Sequence, residues 1–163
     1  NKAEVIGGNG LAVLTIVTEG HPTLRRKAKP VAKVTKRLQK LLRDMTETMY
    51  TAKGVGLAAP QVNVSERLIV VDAGEGLFAL INPEIIQTEG SIRDVEACLS
   101  IPGKSGYVTR AARVVVKGLD AQGKPARVEG SGYFARALQH EVDHLDGILF
   151  LDRVNGEAGN GAK

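Results

Sequence analysis

Leu38, Leu41, Leu42, Met45 and Met49 recur at intervals of three and four, so a helix over roughly 35 to 52 gathers them on one stripe. Lys36, Arg37, Lys40 and Arg43 fall mostly off that stripe, Thr35 is suited to cap its start, and Gly54 and Gly56 follow its end. A second helix is expected over roughly 131 to 146, with Ser131 as cap and Gly147 as terminator. On it Tyr133, Ala137, His140 and His144 share one face, while Phe134, Leu138 and Leu145 lie on a neighbouring face and read as core. Between the helices the period changes to that of strands. "RLIVVD" (67–72) and "LFALIN" (77–82) flank "AGEG", a hairpin signal. "EIIQTE" (84–89), "ARVVVKGLD" (112–120) and "PARVEG" (125–130) read as further strands, with "DAQGK" (120–124) as a turn and Pro83 and Pro102 as breaks. "LAVLTIV" (11–17) reads as a first strand. Hairpin-linked strands with two helices give an α+β fold, not alternating βαβ units.

The 163 residues are long enough for one domain with a real core, and no repeat or linker divides them. Residues 1–154 are read as that domain. "NGEAGNGAK" (155–163), with nothing apolar larger than Ala, is read as a disordered tail. No run is long enough to cross a membrane, so no membrane partner is expected. Net charge is +4, and basic residues concentrate in "RRKAK" (25–29) and "KVTKRLQK" (33–40). Without interleaved aromatics that patch reads as a solvated helix face, not as a reader of nucleic-acid sequence. The single cysteine, Cys98, excludes an intrachain disulfide and fits a reducing compartment.

"QHEVDHLDG" (139–147) carries the chemistry. Four residues of helix advance about 400°, so His140 and His144 project together and can grip one ion. Glu141 points away by about 100° and can act on a metal-bound water without being a ligand. Only 19 residues follow His144, and their one glutamate, Glu157, sits in the Gly-rich tail. The extended motif that ends in a third histidine has Phe150 at that position. His21 lies in a Pro-bounded loop and reads as a surface residue. Cys98 is the other soft donor, and with the two histidines it makes a three-ligand site with an open position, the catalytic arrangement.

"GVGLAAPQ" (54–61), "EACLS" (96–100) and "QHEVDH" (139–144) resemble, in order and spacing, the three signature motifs of peptide deformylases. The likeness extends over roughly residues 11 to 153. It implies antiparallel strands packed around a central metal-binding helix, with an N-terminal amphipathic helix. It implies a hydrolase that removes formate from the N-formyl-methionine of newly made polypeptides. Cys98, His140 and His144 are then the metal ligands, for Fe²⁺ in the cell, with Zn²⁺, Ni²⁺ or Co²⁺ as replacements. Glu141 is the implied general base, and the Gln61 side-chain amide and the Leu99 backbone N–H are the implied oxyanion donors. The methionine side chain is expected among Val55, Leu99, Tyr133, Ala137 and the stem of Arg136, with Gly56 letting the substrate backbone approach. Val55 and Ala97 are expected to pair with the peptide as strands do. Glu96 and Gln139 are expected to support the ligands. The family usually has Gly where this chain has Ala97; a β-region backbone there would tolerate the methyl group. Formylated nascent peptides are the implied partners, with the basic patch available for the ribosome. The implied compartment is the bacterial cytoplasm, with a processed organellar form as the alternative because the chain begins at Asn1. Two rivals are weighed beside this reading. A metalloprotease lacks its third ligand here, and a metal-stabilised RNA- or ribosome-binding module would have no need of Glu141 or Gln61.

Overall fold

The computed structural model describes residues 5–6, as backbone, and residues 11–156. Helix α1 (Lys36–Thr51) starts where Thr35 accepts the Leu38 N–H at 3.2 Å, and its five stripe residues are all buried. Two polar residues are buried with them. Asp44 accepts the N–H of Ala12 at 3.0 Å and Thr48 that of Leu14 at 2.8 Å. These bonds cut short the strand expected over 11–17. Only β2 (Ala12–Val13) pairs, with β1 (Val5–Ile6), because the donors that follow turn to Thr48 and, at Val17, to the Gln61 carbonyl.

Five antiparallel strands form the main sheet in the order β3 (Gly56–Ala58), β4 (Leu68–Val71), β5 (Phe78–Glu89), β8 (Arg113–Leu119) and β9 (Pro125–Ser131). The predicted hairpin is β4–β5, with Val71 opposite Phe78. β4 is buried on both faces, which explains its unbroken apolar run. Leu68 and Val70 pack with α1, whereas Ile69 and Val71 pack with Phe134, Leu138 and Leu145 of helix α2 (Gly132–Leu145). The sheet is thus layered between two helices.

Three expectations need correction. Pro83 does not separate two strands: β5 runs through it, with register shifts between Ile81/Glu84 and Ile85/Gln87. Asn82 takes a φ of 54° there and clasps Val31 through both its amide groups. Opposite, a Cβ on Gly118 would lie 2.8 Å from the Ile81 oxygen, so the bulge requires glycine. Pro102 is no break either, being the second residue of β7 (Ile101–Arg110). β7 pairs with β6 (Ile92–Cys98) in a separate two-stranded sheet that the periodicity did not reveal. Third, Ser131 occupies the cap position of α2 but makes no side-chain capping bond. At the other end of that helix, Gly147 does stop the chain, with a φ of 74° and a Cβ position 2.6 Å from the Arg25 carbonyl oxygen. Of the stretch read as a tail, Asn155 accepts the Arg93 Nε–H at 2.9 Å and Gly156 accepts the Tyr107 N–H at 2.7 Å. Residues 157–163 lie outside the described residues.

Candidate metal centre

α2 brings the His140 and His144 rings to a centroid separation of 5.0 Å. Cys98 closes β6 at a register shift, just before the chain turns into β7. Its Sγ lies 3.3 Å from His144 Nε2, and one ligand atom from each of Cys98, His140 and His144 falls within 4.8 Å of the others. The trio fits a divalent ion on chemical grounds. One sulfur and two imidazole nitrogens are borderline-to-soft donors, both histidines are buried, and three protein ligands leave a coordination position open. Beside them Glu141 Oε1 and His144 Nδ1 are buried without a hydrogen-bond partner among the described residues. His21, by contrast, turns its Nδ1 to the Thr23 N–H and is not in the group.

The electrostatics are set by burial and by Glu96. His140 Nδ1 lies 2.9 Å from Glu96 Oε1, which leaves Nε2 as the ring atom available to an ion. Glu96 also takes a bidentate pair of bonds from Arg110, at 2.7 and 2.9 Å, and one from Arg136 Nη1 at 2.6 Å. Burial acts to raise the Glu96 carboxyl, but the bonds from Arg110 and His140 win and hold it well below the ordinary carboxylate range. Burial opposes an imidazolium at His140 as well. Hydrogen bonds to Cys98 and Glu96 overcome it there and lift the group to about 10. At His144, which Cys98 Sγ approaches at 3.3 Å, burial followed by the charge on His140 outweighs the pull of Glu96 and holds the group well below its usual value. The support continues outward: Arg110 Nη1 bonds Asp143 at 2.6 Å, and Arg153 bonds the same carboxylate. Gln139 holds both the N–H and the carbonyl of Ala111 at 3.0 Å. Sequence reasoning anticipated Glu96 and Gln139 and missed Arg110 and Asp143. A signal existed: Gly106, Val108 and Arg110 alternate as buried positions along the second half of β7, and an inward arginine demands a buried partner.

A cleft of about 300 Å³ opens on the centre. Glu141, Gln61, Leu99 and all six residues assigned to substrate, namely Val55, Gly56, Ala97, Tyr133, Arg136 and Ala137, line it, as do Lys53 and Val95, which the sequence reading did not name. Burial pushes the Glu141 carboxyl up to about 7. Gln61 is buried; its Oε1 accepts the Ala58 N–H at 2.9 Å, and its Nε2 points at Ser100 Oγ (3.1 Å) and Cys98 Sγ (3.7 Å). The two glycines of "GVGLAAPQ" are explained by contact and not by φ, since neither is in the left-handed region. A Cβ on Gly54 would meet Leu99 Cδ1 at 2.6 Å, and one on Gly56 would meet Glu141 Oε2 at 2.5 Å. Ala97 likewise has no positive φ, so its methyl group carries no backbone strain. The Arg136 guanidinium is turned away from the cleft, to Glu96 and to the carbonyls of Val108 and Ile92.

A cysteine and two histidines around an open position, beside a buried carboxylate at the floor of a cleft, define a metallohydrolase-type site on an α+β frame. The family model for polypeptide deformylase matches residues 13–159. A peptide deformylase of Halothermothrix orenii is 58% identical over 146 residues, which cover 88% of this chain and 95% of that protein. The crystal structure of peptide deformylase from Thermotoga maritima superposes with a TM-score of 0.84 at 45% identity, covering 86% of this chain and 96% of that one. The peptide deformylase from Synechococcus elongatus in complex with actinonin also has a TM-score of 0.84, at 44% identity, over 86% of this chain and 78% of that one. The chain belongs to the polypeptide deformylase family, whose members remove N-formyl groups from new polypeptides in a metal-dependent reaction. Among the described residues no helix is long and apolar enough to cross a membrane.

Proposed function

We propose that this chain is a metal-dependent hydrolase that releases formate from the N-formyl-methionine of newly made polypeptides. The observation that carries the reading is the approach of the Cys98, His140 and His144 ligand atoms to within 4.8 Å, with the Glu141 carboxylate buried at the same cleft. α2 is the central helix that holds the metal, and α1 the amphipathic helix on the opposite side of the sheet. Residues 1–154 act as one catalytic domain.

Cys98 Sγ and the two imidazoles would hold the ion, Fe²⁺ in the cell, with Zn²⁺, Ni²⁺ or Co²⁺ able to replace it. When bound, the ion supplies Lewis acidity and lowers the pKa of water. Glu141 takes the proton from the attacking water and delivers it to the departing amine. Its upward shift to about 7 suits it to both directions of transfer near neutral pH. The Gln61 Nε2–H and the Leu99 N–H stabilise charge on the formyl oxygen. Val55, Leu99, Tyr133, Ala137 and the stem of Arg136 enclose the methionine side chain. Gly56, Val55 and Ala97 admit the extended peptide between the free edges of β3 and β6. The basic residues of 25–40 meet the ribosome, and the compartment is the bacterial cytoplasm.

The test is formate release from a short formyl-methionyl peptide by enzyme loaded anaerobically with iron or nickel. Release that disappears in Glu141→Ala, with metal content unchanged, is the expected result. No release above that control defeats the reading.

A further inference from the structure

The ligands come from two bodies that share no strand pairing. Cys98 belongs to the β6–β7 sheet, and the two histidines belong to a helix packed on the five-stranded sheet. Their separation is therefore set by what spans the gap, and Arg136 spans it beside the Glu96–His140 and Arg110–Asp143 bonds. It lies on α2 one turn before His140, with its side chain only 6% exposed. Nη1 donates to Glu96 Oε2 at 2.6 Å and to the Val108 carbonyl at 2.9 Å, and Nη2 donates to the Ile92 carbonyl at 2.7 Å. One planar group thus holds β6 at two points and β7 at a third.

The charge on Glu96 does not call for this residue. Arg110 already meets that carboxylate through two bonds, and His140 through a third. Burying a second guanidinium is costly, and an apolar side chain could fill the same space. What an apolar residue could not supply is direction. A rigid fork bonded to two carbonyls and a carboxylate fixes the distance and tilt of the hairpin relative to the helix.

We propose that Arg136 is a positioning residue for the metal. It docks the cysteine-bearing hairpin on the histidine-bearing helix and so sets how well the three ligands close on one ion. This rests on the reading of Cys98, His140 and His144 as the ligands. It departs from the expectation that Arg136 serves chiefly through its stem in the substrate cleft.

The experiment uses the full chain loaded with Co²⁺, whose visible spectrum reports thiolate ligation and coordination geometry. Arg136→Met keeps length and loses every donor. Its Co²⁺ dissociation constant, measured by chelator competition, should rise about 10- to 100-fold, as when other supports of metal ligands are removed. The sulfur-to-cobalt band should weaken. Arg136→Lys, whose single ammonium cannot hold both strands at once, should fall between the two. Leu42→Ala in the distant α1 core should lower Tm without moving band or affinity, which separates positioning from general loss of stability. Wild-type affinity and spectrum in Arg136→Met overturn the proposal. Should that variant fail to fold, the same result in Arg136→Lys overturns it. Formate release by the wild-type enzyme is measured alongside. Its failure with normal Co²⁺ binding defeats the deformylase reading and leaves the role of Arg136 standing.

Discussion

Replacing Gly56 by alanine places a methyl carbon 2.5 Å from Glu141 Oε2 and 2.9 Å from both Cδ and Cγ. Carbon contacts are comfortable at about 3.5 Å, so one partner must retreat by roughly 1 Å. Glu141 has little room to do so, since only 4% of it is exposed and it sits beside the histidines on α2. Gly56 is in turn paired with Val71 in the main sheet. The carboxylate is the end of a side chain and yields first. A displacement of roughly 1 Å at a reacting group costs about 10²-fold in rate, or about 2.7 kcal/mol of barrier. Cys98, His140 and His144 are untouched, so metal content should match wild type. The assay is kcat for formate release, read with metal analysis and Tm, on Gly56→Ala, Glu141→Ala and the double variant. If the methyl group acts through Glu141, the double variant is no slower than Glu141→Ala alone. Wild-type kcat in Gly56→Ala, or fully multiplicative losses in the double variant, would refute the reasoning.

Three other outcomes are expected. Glu141→Gln should stabilise the chelator-treated protein at pH 8: the wild-type carboxyl titrates at about 7 when folded against 4.5 unfolded, so its stability falls as pH rises through that interval. The advantage is at most about 3 kcal/mol and should close by about pH 4, below the unfolded value; equal melting curves at pH 8 would contradict the burial argument. Gln61→Leu should lose about 10²–10³ in kcat at constant metal content, and unchanged turnover would remove Gln61 from the oxyanion role. Metal affinity should rise with pH between 6 and 9, because His140, held up at about 10, must shed its proton before Nε2 can bind an ion; a calorimetric titration in two buffers that detects no released proton would contradict this.

Helix α1, the β4–β5 hairpin and β8–β9 were legible because each has a clean period or a short apolar run bounded by a capping residue or a turn. The β6–β7 sheet was not. Ile92 and Val95, on opposite faces of β6, are 42% and 40% exposed, so the alternation that marks a half-buried strand is blurred there. β5 hid its continuity because the compensation for Pro83 lies at Gly118, a neighbour in space and not in sequence. The three candidate ligands, which the structure brings within 4.8 Å of one another, could be named from residue chemistry and motif spacing. Arg110 and Asp143 escaped because their role depends on a buried carboxylate shared by three elements, which no local window displays. For Arg136 the stem was expected in the cleft, and the guanidinium's partners, Glu96, Val108 and Ile92, are too far off in the chain for any local window to display.

Gly54 and Gly56 are moulds of two distant side chains, and the moulds differ in how they could change. The space at Gly54 is taken by the methyl end of Leu99, which a smaller residue would vacate. Alanine at 54 together with valine or alanine at 99 is therefore a permissible exchange, provided both positions move together. At Gly56 the space is taken by the carboxylate of Glu141, and aspartate, the one smaller acid, would draw that carboxylate back by a methylene from the place it now occupies. Lineages descending from this sequence should drift at the first glycine as a pair with position 99, and should keep the second for as long as they keep Glu141.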